Sequence, residues 1–177
     1  MIELEKTYLA KYIPEDLSDS KYIEICDKYF PVNSTHPVLR LRRKNKKYLL
    51  TKKKPLSKHD SSKQKEETII LSQEEYKTFL AIPGRKIYKR RYFYEYNNKI
   101  AEFDVFLDKL KGLVTIDVEF QNEENKNRFK TPEFCLIEVT QEKFIAGGML
   151  CRKSYKDIKN ELENFNYKKL NYSFSRQ

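Results

Sequence analysis

The chain reads as an α+β protein built round an antiparallel β-barrel or strongly curved antiparallel sheet. Three observations lead there. About seven to nine segments alternate apolar and polar residues with a period of two, and most are joined by short turns. Only a few segments carry helical spacing, and they fall between or after the strands rather than alternating with them. The length of 177 residues allows one domain with a real hydrophobic core, and 13 Tyr and 11 Phe supply bulky side chains to fill it. With 4 Gly and 6 Pro the chain is neither low-complexity nor collagen-like. Its mean hydropathy of −0.81 is low, but the regular alternation argues against disorder.

The elements follow in order. "IELEKTYL" (2–9) alternates and reads as a strand. "YIPEDLSDSKYIEICDKYF" holds a Pro-initiated turn, a helical turn and then a strand through Ile23 and Ile25. "VLRLRRKNKKYLLTKKK" reads as a hairpin turning at Lys44-Asn45-Lys46, and "EETIIL" as a further strand. Ser72 with Glu75 three residues on has capping-box spacing and opens the helix "QEEYKTFLAI", which Pro83-Gly84 ends. "RKIYKRRYFYEY", the turn Asn97-Asn98 and "KIAEFDVFL" make a second hairpin. "GLVTIDVEF" is a strand, "NEENKNRF" a short polar helix, and "EFCLIEVTQ" a strand that precedes a break at Gly147-Gly148. Tyr155, Ile158, Leu162 and Phe165 recur at helical spacing in "SYKDIKNELENF". One domain over 1–166 and a polar tail over 167–177 are expected.

The formal charge is +10, and residues 40–65 carry twelve Lys or Arg against the single acid Asp60. Such a bias suits a polyanionic ligand, although the part from Lys54 to Lys65 reads rather as a solvated basic loop. Cys26, Cys135 and Cys151 are far apart, without CxxC spacing, and read as buried apolar residues in a reducing compartment. His36 and His59 are isolated in polar stretches, which argues against a His-centred metal site or a catalytic triad. No signal-like segment precedes the first strand, and no apolar run reaches the roughly 20 residues of a membrane span; a cytoplasmic protein off the membrane is expected.

The informative pattern is what shares a strand face. Glu3 and Glu5 point to one side while Leu4 and Lys6 point to the other. Glu102 and Asp104 pair in the same way, as do Asp117 and Glu119, each backed by an apolar face. Two strands carry paired bases, Arg40 with Arg42 and Lys89 with Arg91, and Lys53 adds a weaker case. An ordinary solvated face mixes signs, because like charges side by side repel. Same-sign pairs repeated in five strands suit a closed sheet whose lumen holds separate clusters: carboxylates for divalent cations, and Arg and Lys for phosphate oxygens. The apolar faces then pack outward, and the interior is wet, internally paired or filled by ligand.

These motifs, in this order, resemble the CYTH superfamily, the triphosphate tunnel metalloenzymes, along most of residues 2–155. "ELEKT" matches both glutamates of the family's ExExK. "LRLR" resembles its R-x-R strand, "LLTKK" its L-T-x-K segment, and "KEETIIL" its next acidic strand with Glu66 or Glu67 as the match. "KRRY" corresponds to K-x-R-Y, "AEFDVF" to E-x-D-x-F, and "GLVTIDVEF" to G-L-x-x-x-E-x-E with Asp117 for the first Glu. "CRKSYKDI" is similar to a G-K-S-Y segment, which brings Lys153 to the tunnel. The resemblance departs at Thr7, where the family has the lysine of ExExK; the neighbouring Lys6 should face the other way.

The resemblance implies an eight-stranded antiparallel β tunnel with a charged lumen and a few surrounding helices. It also implies Mg²⁺- or Mn²⁺-dependent hydrolysis of a triphosphate compound, inorganic triphosphate first. Glu3, Glu5, Asp117 and Glu119 are expected to hold the metal, with Glu102 and Asp104 supporting a second ion or orienting water. Arg40, Arg42, Lys53, Lys89, Arg91 and Lys153 are expected to bind the phosphates. No side chain is an obvious general base, which leaves a metal-activated water, with Lys153 as a candidate. Cyclisation of ATP to cyclic AMP is the alternative within the family, and a polyphosphate- or nucleotide-binding module without turnover is the alternative raised by Thr7. Nucleic acid is expected only as an RNA 5′-triphosphate end, since Tyr48 is the lone aromatic in the basic segment. A homodimer is expected if outward aromatics such as Tyr88, Tyr92 and Tyr94 are left uncovered.

Overall fold

A computed structural model describes residues 2–57 and 60–172. Lys58 and His59 of the basic segment, and residues 173–177 of the expected tail, lie outside the described residues. Nine strands form one antiparallel sheet: β1 (Ile2–Ala10), β2 (Tyr22–Phe30), β3 (Leu39–Lys44), β4 (Lys47–Ser57), β5 (Asp60–Leu71), β6 (Arg85–Tyr96), β7 (Lys99–Phe106), β8 (Val114–Phe120) and β9 (Cys135–Glu138). The order is β5-β4-β3-β2-β6-β7-β8-β1, and β1 then pairs back onto β5 at Ile2–Lys65, Glu3–Gln64 and Leu4–Lys63. Closure leaves eight strands in a barrel, with β9 added beside the second half of β1.

Local chemistry sets the hairpins. Asn45 (φ 52°) turns β3 into β4, and Asn97 and Asn98 (φ 48° and 59°) turn β6 into β7, the left-handed backbone that asparagine tolerates in tight hairpins. Ser72 caps α1 (Gln73–Ala81) through a full capping box with Glu75. Three shorter helices follow: α2 (Glu123–Asn127), α3 (Gly147–Leu150) and α4 (Lys159–Glu163).

Much of the outward surface is apolar and covered, although Ile2 on β1 and Ile69 and Ile70 on β5 stay exposed. Tyr8, Phe103, Ile116, Val118 and Phe120 pack with Leu17, Phe134 and Phe129, while α1 lays Tyr76 and Phe79 against Leu41 and Leu50. Tyr92 is buried and Tyr94 bonds to Asp16, so these two outward aromatics are covered within the chain. The three cysteines are free and buried, as expected.

The lumen face also turns apolar at one end. Leu9 follows Thr7, Tyr29 follows Asp27, Phe106 follows Asp104, Ile87 precedes Lys89 and Leu113 precedes Thr115, each on the inward parity. These five residues meet Val139, Leu150, Ile158 and Leu162, and together they close that end of the barrel. Gly147 and Gly148 make the close approach, because a side chain at Gly147 would strike the Tyr29 hydroxyl and one at Gly148 the Pro37 carbonyl. The glycine pair therefore opens α3 against the barrel rather than only breaking the chain.

Two further expectations change. Residues 54–57 and 60–65 are not a solvated loop: β4 runs to Ser57 and β5 starts at Asp60, with Lys54 opposite Lys65 and Pro55 opposite Gln64. Both faces of this ribbon are polar, so no apolar alternation marks it; its ladder comes from β4 and from β1. Residues 167–172, read as a polar tail, pack on the barrel. Tyr167 is 4% exposed, and its hydroxyl accepts from the Val114 N–H and donates to the Gly112 carbonyl, both at 2.9 Å. Tyr172 donates to the Phe106 carbonyl at 2.7 Å.

Candidate active site

The barrel encloses a cavity of about 390 Å³. Its wall includes eleven of the twelve expected site residues: Glu3, Glu5, Arg40, Arg42, Lys53, Lys89, Arg91, Glu102, Asp104, Asp117 and Glu119. Strand parity explains this convergence, since each pair sits at i and i+2 on the inward face of its strand. Lys153 is not among the lining residues; its Nζ lies 3.6 Å from Glu161 on α4. Lys6 points outward to Glu138 at 3.2 Å, and Thr7 takes the inward position. On β5 it is Glu66 that faces the lumen, while Glu67 pairs with Lys65 outside at 2.8 Å.

The acids and bases do not form separate clusters. β6 lies beside β7 with Arg91 opposite Asp104, so the basic strand meets an acidic one directly. Arg91 donates to both oxygens of Asp104 (2.7 and 2.6 Å), to Asp117 at 2.9 Å and to Glu102. Lys89 also donates to Asp104. Asp104 is thus consumed by two cations. Burial opposes its charge, but Arg91 and Lys89 outweigh that and hold its carboxyl well below the usual range. Such a carboxylate anchors the bases and is a poor candidate for holding an ion.

Lys53 bridges Glu3 at 2.5 Å and Glu5 at 2.8 Å, and Gln64 donates to Glu5 at 3.2 Å. Burial weakens the Lys53 charge, yet the two glutamates outweigh it and raise the ammonium above its ordinary value. For Glu5 the balance is reversed. Burial, only partly offset by Lys53 and reinforced by Asp117 and Glu3, pushes its carboxyl up to about 7. Burial and crowding by neighbouring acids also raise Glu102 and Glu119. This side of the lumen therefore carries negative charge that Lys53 and Arg91 do not fully balance.

Among the described residues no three acidic, histidine or cysteine side chains converge as a ready metal cage. The donor chemistry nevertheless fits a hard divalent cation. Glu3, Glu5, Asp117 and Glu119 are oxygen donors on two adjacent strands, with Glu5 opposite Glu119 and Thr7 opposite Asp117 in register, and burial, reinforced by neighbouring acids, raises Glu5 and Glu119. Asp117 in place of glutamate is one methylene shorter, and Thr7 donates to its Oδ1 at 2.8 Å.

Sequence reading missed several lumen residues. Asp27 on β2 is 1% exposed and grips Arg42 through two bonds, at 2.6 and 2.7 Å. Burial is outweighed by Arg42 and Arg40, which bring the Asp27 carboxyl down to about 2. A lone acid among Ile25 and Tyr29 escapes a search for same-sign pairs; only the register that sets Asp27 opposite Arg42 reveals it. Lys44, Thr115, Gln64, His36 and Lys143 also line the cavity. Lys44 was legible as the next inward position after Arg40 and Arg42, had the strand been extended by two residues.

No helix among the described residues is long and apolar enough to cross a membrane. No family model matches the chain. In sequence it is 28% identical over 144 residues to the inorganic triphosphatase of Nitrosomonas europaea, covering 81% of this chain and 92% of that protein. In fold it is similar to two structures of NE1496. One, described as a hypothetical protein, has a TM-score of 0.62 at 24% identity, over 86% of this chain and 99% of that one. The other, described as the inorganic triphosphatase NE1496, has a TM-score of 0.60 at 24% identity, over 84% and 93%. A motif order read from the sequence, now found along the inner wall of a closed tunnel whose fold is shared with NE1496, is similar to that of the triphosphate tunnel (CYTH) superfamily.

Proposed function

We propose that this chain hydrolyses a triphosphate compound, inorganic triphosphate first, with Mg²⁺ or Mn²⁺. The observation that carries the reading is the lumen itself. A basic run, Arg40 and Arg42 on β3 with Lys89 and Arg91 on β6, shares one enclosed cavity with a carboxylate group on β1 and β8. The relative named an inorganic triphosphatase supports the choice of substrate class.

The residues divide the work by charge. Arg40, Arg42, Lys89 and Arg91 would bind phosphate oxygens and offset the charge that develops as water attacks a terminal phosphorus in line. Asp27 and Asp104 would fix the orientation of Arg42, Lys89 and Arg91 before substrate arrives, through the pairs described above. Glu3, Glu5, Asp117 and Glu119 would hold the divalent ion, and Lys53 would leave the glutamates for a phosphate oxygen. A bound Mg²⁺ or Mn²⁺ would supply Lewis-acid polarisation of phosphoryl oxygens and lower the pKa of an attacking water. The apolar end of the barrel would keep bulk water from that side of the reacting centre.

The test is phosphate release from inorganic triphosphate and from ATP, with Mg²⁺, Mn²⁺ or EDTA, for wild type and Glu5→Gln. Release from triphosphate that needs the metal and falls on the order of 10² to 10³ in the variant is the expected result. Formation of cyclic AMP without phosphate release, or triphosphate binding without turnover, would overturn it.

A further inference from the structure

Most lumen cations are already committed to a carboxylate. Arg42 is held by Asp27, Lys53 by Glu3 and Glu5, Lys89 by Asp104, and Arg91 by three acids. A phosphate chain that engaged these groups would have to share or displace a partner they already have. Two half-buried cations of the cavity wall differ. Among the described residues neither Arg40 nor Lys44 has an ion-pair partner, and the Nε of Arg40 is buried without a hydrogen-bond acceptor. Both lie on the inward face of β3 with Arg42 between them, so the three span about 13 Å of one strand.

We propose that Lys44 is a phosphate-binding residue of the tunnel, at the end of β3 away from the apolar closure, and supplies the lumen cation that Thr7 does not. The inference rests on the triphosphate reading of the site. Its position supports it: Lys44 is paired in register with Ile25 and Lys47, which leaves no acid beside it on either neighbouring strand. Arg91 and Arg42 act on its charge with one sign and Glu102 and Glu119 with the other, so Lys44 sits at a boundary within reach of both kinds of lumen group. An anion bound across that boundary would contact Lys44 without breaking a buried pair, whereas an additional contact to Arg91 or Lys89 disturbs the Asp104 knot. The lysine at the family's usual position would sit on β1 beside Asp117; here the free cation comes from the facing wall instead.

The experiment measures binding of inorganic tripolyphosphate by calorimetry in EDTA, where turnover is absent, and KM and kcat with Mg²⁺. The proteins compared are wild type, Lys44→Gln, Lys44→Arg and Lys46→Gln, the last removing the same charge from the exposed turn. The proposal expects Lys44→Gln to weaken binding about 10- to 100-fold, the usual range for losing a charge-assisted hydrogen bond. The slope of affinity against ionic strength should fall with it, Lys44→Arg should recover most of the affinity, and Lys46→Gln should stay within about twofold of wild type. Equal affinities for Lys44→Gln and Lys46→Gln, with wild type binding well, would overturn the role of Lys44 alone. Absence of tripolyphosphate binding and of phosphate release by wild type would overturn the triphosphate reading, and the role of Lys44 with it.

Discussion

The Thr7 hydroxyl donates to Oδ1 of Asp117 at 2.8 Å, across a register pair of β1 and β8. A side chain that the family's pattern would make cationic is here a neutral donor that fixes one acid of the carboxylate group. The other oxygen of Asp117 is taken by Arg91 at 2.9 Å.

Thr7→Val keeps the shape and removes the donor. The expected cost is about 0.5 to 1.5 kcal/mol in folding stability, because one side-chain hydrogen bond at a half-buried site is lost. Urea titration reads this directly. A midpoint unchanged from wild type would show that solvent replaces the threonine fully.

Asp27 and Arg42 form a buried ion pair with both partners nearly inaccessible, so removing one leaves the other uncompensated. Asp27→Ala is expected to cost about 3 to 5 kcal/mol, and combining it with Arg42→Met should recover much of the loss. The pH dependence follows with a fixed sign. The folded-state pKa of Asp27 is depressed to about 2, so the stabilisation is present above the unfolded value of 3.8 and is lost as pH falls from there through about 2. Asp104 is depressed too and acts in the same direction. Stability curves measured between about pH 5 and 2 should fall steeply for wild type and less steeply for Asp27→Ala; parallel curves would refute the assignment.

Tyr167 ties the segment after α4 to the barrel by accepting from the Val114 N–H and donating to the Gly112 carbonyl. Tyr167→Phe leaves a buried amide without its acceptor and is expected to cost about 1 to 3 kcal/mol. Thermal or denaturant unfolding of the variant checks this. A loss below about 0.5 kcal/mol would mean that the hydroxyl is not what anchors this segment.

What the sequence determined by itself was local. Period-two alternation located the strands, and Asn45 and Asn97-Asn98 marked their turns. Ser72 with Glu75 marked the helix start. Same-sign pairs at i and i+2 identified the charged face, because side-chain direction along a strand depends only on the strand's own backbone. The tertiary structure decided everything that depends on which strands are neighbours. Closure through β1 and β5 turned a polar ribbon into two strands of the barrel. The placement of β6 beside β7 and of β2 beside β3 locked Arg91 to Asp104 and Arg42 to Asp27. Among the described residues it also left Arg40 and Lys44 without an ion-pair partner, turned the chain after α4 onto the wall at Tyr167, and left Lys153 off the cavity lining. Pairing across strands is set by register and by the requirement that buried charge be compensated, and neither can be read from residues close in sequence.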